Sequence, residues 1–164
     1  MKHLFVPAAA FLLAAIATPT PAHAQAESDQ FVGTFDLSIA DSDFGMTAAP
    51  DSAVMSIERA DDRLVMRRDL HFSQLGEPGF VAFDMPTDGG TYEATTHEGV
   101  QEFQLSWDGD VLVMTTQAES NIGPIAVVDR MSADHDGDRI FVGRTVDVPG
   151  VGPSESTLVY LRRE

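Results

Sequence analysis

From residue 31 to its end the chain offers about ten short stretches in which apolar and polar side chains alternate. No window in that span keeps apolar residues at i, i+3, i+4 and i+7 for the ten or more positions a helix requires. The stretches fall at 31–39, 52–59, 64–72, 80–85, 91–96, 100–107, 111–119, 125–132, 139–146 and 155–162. Turn residues separate them, among them Ala60-Asp61-Asp62-Arg63, Thr87-Asp88-Gly89-Gly90 and Asp108-Gly109-Asp110. Strands spaced at roughly 8–12 residues belong to antiparallel sandwiches and barrels. Sequential hairpins that curl round to meet leave no exposed edge. The pattern therefore predicts an all-β, antiparallel up-and-down β-barrel of about 8–10 strands.

The first stretch sets the frame. Phe31, Gly33, Phe35, Leu37 and Ile39 share one face, and Val32, Thr34, Asp36 and Ser38 the other, as in a strand with one buried side. A glycine on the buried face, two residues before an aromatic, predicts that another strand or a chain end passes close by. Residues 41–51 carry Gly45 and Pro50 and read as a loop. Within it Asp41-Ser42-Asp43-Phe44 is expected to make a single helical turn, with Phe44 tucked under the barrel edge.

Ahead of the strands stands a different kind of segment. Met1-Lys2-His3 is basic, residues 4–17 are apolar, and Pro19 and Pro21 break the run before Ala22-His23-Ala24. A basic start, an apolar run and a small-x-small site describe a secretory signal peptide, with cleavage expected after Ala24. The run is interrupted by Pro7 and is too short to span a bilayer. Residues 25–164 then form a single domain, large enough for its own core, and the protein is expected in the periplasm or outside the cell. The chain has no cysteine, which excludes disulfides, thiolate catalysis, Cys-ligated metals and a lipidated cysteine anchor.

All 26 acidic residues lie after residue 24. Because Lys2 leaves with the signal segment, the mature charge is one unit more negative than the −16 of the whole chain. Such a field repels phosphate backbones and anionic lipid surfaces, so neither nucleic acid nor a membrane is an expected partner of the mature form. It suits solubility, a cationic partner or a salty exterior.

Several short phrases together resemble a lipocalin-like family of small secreted bacterial β-barrel proteins, related to the calycins. They are Gly33-Thr34-Phe35-Asp36-Leu37, Ser42-Asp43-Phe44-Gly45, Trp107-Asp108-Gly109-Asp110-Val111, Arg130-Met131-Ser132, Asp136-Gly137-Asp138-Arg139-Ile140 and Leu158-Val159-Tyr160-Leu161-Arg162. The family's opening is Gly-x-Trp, and here Phe35 fills the tryptophan slot. Its fatty-acid-binding branch presents Arg-x-Tyr on the last strand. Leu158 stands two residues before Tyr160, so that ligand site does not carry over. The resemblance implies the fold and a loose binding role, with no catalytic residues.

The residues themselves supply a candidate site. Arg68 shares a face with Leu64, Met66, Leu70 and Phe72, Arg144 with Ile140, Val142 and Val146, and Asp129 with Ile125, Val127 and Met131. A charge on an apolar strand face needs a partner or a wet cavity. In a barrel interior the three would make a polar floor, with one guanidinium left to hold an anionic head group. A closed structural Arg–Asp network, or a bulge that turns an Arg outward, are the alternatives. Met66, Phe72 and Trp107 are expected as apolar walls, with Tyr160 beside them, and these residue types suit a plain packed core equally well.

Other constellations carry less. Asp134-x-Asp136-Gly137-Asp138 lacks the spacing and the closing Glu of a calcium loop, and reads as a turn. His71, His97 and His135 have no metal-ligand spacing, and no nucleophile turn of the Gly-x-Ser-x-Gly kind occurs. No metal and no cofactor are expected. The sequence therefore reads as a monomeric barrel that binds a small hydrophobic or amphipathic molecule rather than an enzyme. One alternative is a small cyclase- or isomerase-type enzyme using Asp129 and an Arg as acid–base partners. The other is a filled barrel that acts through its surface.

Overall fold

The computed structural model describes residues 29–61, 63–73, 79–86, 89–96, 99–120 and 123–164. The signal segment 1–24 and His97 lie outside the described residues. The alternating stretches become ten strands: β1 (Gly33–Leu37), β2 (Ser52–Ala60), β3 (Arg63–His71), β4 (Gly79–Pro86), β5 (Thr91–Thr96), β6 (Gly99–Asp108), β7 (Val111–Ser120), β8 (Gly123–Ala133), β9 (Arg139–Val148) and β10 (Gly152–Arg162).

They form one antiparallel sheet in the order β4-β3-β2-β1-β10-β9-β8-β7-β6-β5. Each neighbour is also the next strand in sequence, except that β1 pairs with β10 and so joins the two ends of the barrel chain. The sheet curls until β4 and β5, consecutive in sequence, approach one another. The fold is thus the expected up-and-down antiparallel barrel. Its closure differs from the expectation, because among the described residues no ladder joins β4 to β5 and the sheet keeps two edges at that seam.

Alternation places Met55 and Ile57 of β2, Leu64 and Met66 of β3, and Leu112 of β7 on the inner face, all without solvent exposure. Each such side chain contributes about 1.5–3 kcal/mol of burial. The same interior receives Phe31, which precedes β1 in a turn yet is fully buried, its ring edge-on to Trp107 with centroids 5.7 Å apart.

The first strand is shorter than the alternation predicts, and Ile39 is 41% exposed. Local hydrogen bonds take over after Leu37: Ser38 Oγ donates to Asp41 Oδ2 (2.7 Å), and Ser42 Oγ donates to the Ser38 carbonyl (2.7 Å). Side chains of this kind draw the backbone away from a ladder. The helical turn expected at 41–44 does not form. Asp43 instead makes a two-bond bridge to Thr157 of β10, with N–O distances of 2.8 and 2.7 Å. Phe44 is half-buried against the core, as expected. The 38–51 connection therefore continues the wall where β1 stops.

Gly33 has the close neighbour its position predicts. A Cβ there would overlap the Arg162 guanidinium, which reaches back from β10. Arg162 lies 4.7 Å over the Phe35 ring and donates to the carbonyls of Gly137 (2.7 Å), Val32 (2.9 Å) and Gln30 (3.2 Å). One cation thereby ties the segment before β1, the β8–β9 turn and the last strand together. With Asp29 paired to Arg59 at 2.9 Å, this shuts one end of the barrel.

Candidate functional site

Three successive rungs of the ladder cross the inner face from β6 to β10. The first joins Trp107, Leu112, Met131, Val142 and Leu158. The second joins Leu105, Met114, Asp129, Arg144 and Ser156. The third joins Phe103, Thr116, Val127, Val146 and Ser154. The opposite wall repeats the series as Ile57–Met66, Met55–Arg68 and Ala53–Leu70.

Burial changes along this series. In the first rung Leu112, Met131, Val142, Ile57 and Met66 have no exposed surface. In the third, Val127, Val146, Ser154 and Leu70 are all partly exposed. Phe72, just beyond β3, is partly exposed too. The interior is filled towards the end held by Arg162, and towards the other end exposure rises at Leu70, Val127, Val146 and Ser154 while Phe103, Thr116 and Ala53 stay buried.

The charged residues sit at the boundary. Asp129 is 0% exposed. Its Oδ2 accepts from Arg68 Nη1 at 2.9 Å, and Arg144 grips the same carboxylate with Nε (2.7 Å to Oδ1) and Nη2 (2.8 Å to Oδ2). Arg144 comes from the neighbouring strand. Arg68 comes from β3, which four strands separate from β8 along the sheet, so the Arg68–Asp129 pair spans the lumen. The three residues picked out by alternation are brought together in one Arg–Asp–Arg network, an arrangement common to the polar-floor and closed-network readings.

Burial opposes the charge on Asp129, but the hydrogen bonds and charges of Arg144 and Arg68 outweigh it and lower its pKa to about 2. Burial likewise disfavours the charge on Arg144. The hydrogen bond and charge of Asp129 outweigh that, with the nearby Tyr160 adding to the effect, and push the guanidinium further above its usual range. Asp129 is fully paired by the two arginines and has no solvent exposure, an arrangement that counts against it as the proton-transfer partner of the acid–base alternative.

Two guanidiniums and one carboxylate leave a formal charge of +1 inside the barrel. Arg68 is 6% exposed; its Nη2 meets only the Met131 thioether at 3.8 Å, and its buried Nε has no partner. An orphaned N–H of this kind costs about 1–3 kcal/mol. The Arg144 side chain keeps 26% exposure, and its Nη1 meets no acceptor among the described residues. The donors left over are thus Arg68 Nε and Arg144 Nη1, and of the two side chains Arg144 is the more exposed.

The other expected wall residues divide between the two ends. Phe72 borders the open end. Met66 lies one rung beneath the floor, Trp107 packs against Phe31, and Tyr160 is buried in the filled end. Val127 and Val146 share the faces of Asp129 and Arg144, but alternation alone did not single them out as walls. The Asp134–Asp138 turn closes on itself, with Asp134 Oδ1 accepting from the amides of Asp138 (2.8 Å) and Arg139 (3.1 Å). His71 sits at the surface with Nδ1 3.6 Å from Asp51 Oδ2. Among the described residues no helix is long and apolar enough to cross a membrane, and no group of three or more His, Asp or Glu side chains is arranged to hold a metal ion.

No protein-family model and no curated protein sequence matches the chain. Solved structures do match in three dimensions. A secretory abundant heat soluble protein from Ramazzottius varieornatus superposes with a TM-score of 0.62 at 8% identity, covering 82% of this chain and 96% of that one. The zebrafish ileal bile acid-binding protein complexed with cholic acid gives 0.55 at 11% identity, covering 82% and 99%. A Schistosoma mansoni fatty acid binding protein in complex with arachidonic acid gives 0.54 at 14% identity, covering 84% and 99%. Likeness at this level of identity shows the fold alone, an antiparallel β-barrel.

Proposed function

We propose that this protein is an exported carrier or receptor that holds one small hydrophobic or amphipathic molecule in the open half of its barrel. The observation that carries the reading is the floor. A buried ion cluster of formal charge +1, in which Arg144 is the more exposed guanidinium, lies one rung from the partly exposed apolar residues Val127, Val146 and Leu70. A concave apolar surface with a single oriented charge is how proteins bind amphiphiles. The ligand's charged end is then an anion, facing Arg144, and its apolar body lies against the valines. Binding proteins of the same fold, solved in complex with cholic acid and with arachidonic acid, lend this support. Export rests on the basic-apolar-small pattern of residues 1–24. N-terminal sequencing of the protein from its own host tests it, with Gln25 as the expected first residue and Met1 as the result against it.

Titration with anilinonaphthalene sulfonate, an anionic apolar fluorophore, tests the binding. The expected result is blue-shifted emission that saturates at one probe per chain. Val127→Trp, which places an indole in the open half one rung from the ion cluster, abolishes it. Arg144→Leu weakens it about tenfold or more, as loss of one charge-assisted hydrogen bond should. Emission that Val127→Trp leaves unchanged would place the probe on the outer surface and contradict the reading.

A further inference from the structure

Resting on that binding reading, we infer that the Arg68–Asp129 bridge is a depth stop that limits the ligand to a short chain. The bridge runs from one wall of the barrel to the other, with a nitrogen–oxygen distance of 2.9 Å. Beneath it the interior is occupied by Met66, Met131, Leu112 and Val142, all fully buried. A chain that enters from the open end meets the bridge in its path.

The bridge is also held against movement. Asp129 is clamped from the other side by two hydrogen bonds from Arg144, at 2.7 and 2.8 Å. Arg68 keeps this position although its Nε finds no acceptor there. An arginine that only needed satisfying would gain by turning towards the solvent above it. Its commitment across the lumen fixes where the accessible half ends.

The remaining depth follows from the strands. On the shorter wall, from Arg144 to Val148 and from Ser156 to Gly152, the strand ends lie four residues further on, and on β8, from Asp129 to Gly123, six. Four residues of strand rise about 13 Å, or roughly 10 Å along the axis of a barrel whose strands tilt by about 40°. An extended methylene advances about 1.25 Å, given a bond of about 1.5 Å and an angle near 111°. The open half thus takes about eight to ten chain carbons, with the anionic head at Arg144. Carbons beyond that remain in water.

Calorimetric titration of the purified protein with straight-chain carboxylates, from butanoate to hexadecanoate below their micelle-forming concentrations, tests this. Each buried methylene tightens binding about fourfold. The expected curve rises at that rate to about eight to ten carbons and is flat afterwards. A rise that continues unbroken to hexadecanoate overturns the depth stop while leaving the binding reading intact. No binding at any length overturns the binding reading itself. In Arg68→Ala the head group sinks past its wild-type position by about the thickness of the side chain removed, about 3.5–4 Å, and the break moves to chains about three carbons longer. A break that stays at the wild-type length in this variant, with binding retained, shows that Arg68 is not the stop.

Discussion

Asp129 serves two guanidiniums with one carboxylate, and its removal leaves both beside thioethers and aliphatic side chains with nothing to balance them. Breaking a buried ion pair from one side costs about 3–5 kcal/mol. Asp129→Asn is accordingly expected to lower the urea-unfolding free energy by that amount at pH 7. The pH dependence has a definite sign. The folded carboxyl titrates at about 2 rather than its ordinary 3.8, so its contribution is complete above about pH 4 and disappears as the pH falls through 2. The gap in stability between wild type and Asp129→Asn should narrow by about 2 kcal/mol between pH 4 and pH 2. A gap that is constant with pH would show that the carboxylate is not charged in the folded protein. These three charges were legible in the sequence because a period of two assigns every residue a face, and a charge on an apolar face demands an explanation. Their depth was not legible. Met66 and Phe72 share a face in sequence, but one lies beneath the floor and the other at the open end, since alternation gives direction across the sheet and says nothing about position along the barrel.

At the scale of elements, the connection between β1 and β2 departs most from the periodic pattern, because hydrogen bonds from Ser38, Ser42 and Asp43 decide its path and hydrophobic spacing has no access to them. Gly45 is where this connection meets β10. Its φ is +55°, and a Cβ would overlap the Glu155 carbonyl oxygen. Gly45→Ala is expected to lift the connection off β10 and to speed hydrogen exchange at the Asp43 and Thr157 amides, which form the bridge, with the β8–β9 ladder unchanged. Equal protection in the variant would show that the connection adapts without leaving β10. The clasp at the other end was half legible. Gly33 announced that something passes close, but which cation fills that space depends on the β1–β10 register, in which Arg162 lies opposite Phe35. Arg162→Met, which keeps the stem and loses three carbonyl contacts and the ring contact, should cost about 2–4 kcal/mol in chemical denaturation.

The whole molecule combines an interior of formal charge +1 with a surface that is strongly acidic. Self-repulsion among the exposed carboxylates opposes the compact state and is screened by salt. The melting temperature is therefore expected to rise as sodium chloride increases from 10 mM to 0.5 M, and a melting temperature independent of salt would count against surface repulsion as a destabilising force. The architecture itself was the most legible feature, since ten alternating segments with turn residues between them admit few arrangements other than a meander. The seam was hidden, because hairpin signals record which strands follow each other and not whether the first and last edges of a curled sheet form hydrogen bonds. The most direct test of the central claim, an open half above a charged floor, is a two-dimensional amide spectrum titrated with octanoate. The account predicts saturable shifts at Thr116, Val127, Arg144, Val146 and Ser154, with Phe31, Trp107 and Leu112 unmoved. Shifts that gather at those last three residues or on the outer face, or no shifts at all, would contradict it.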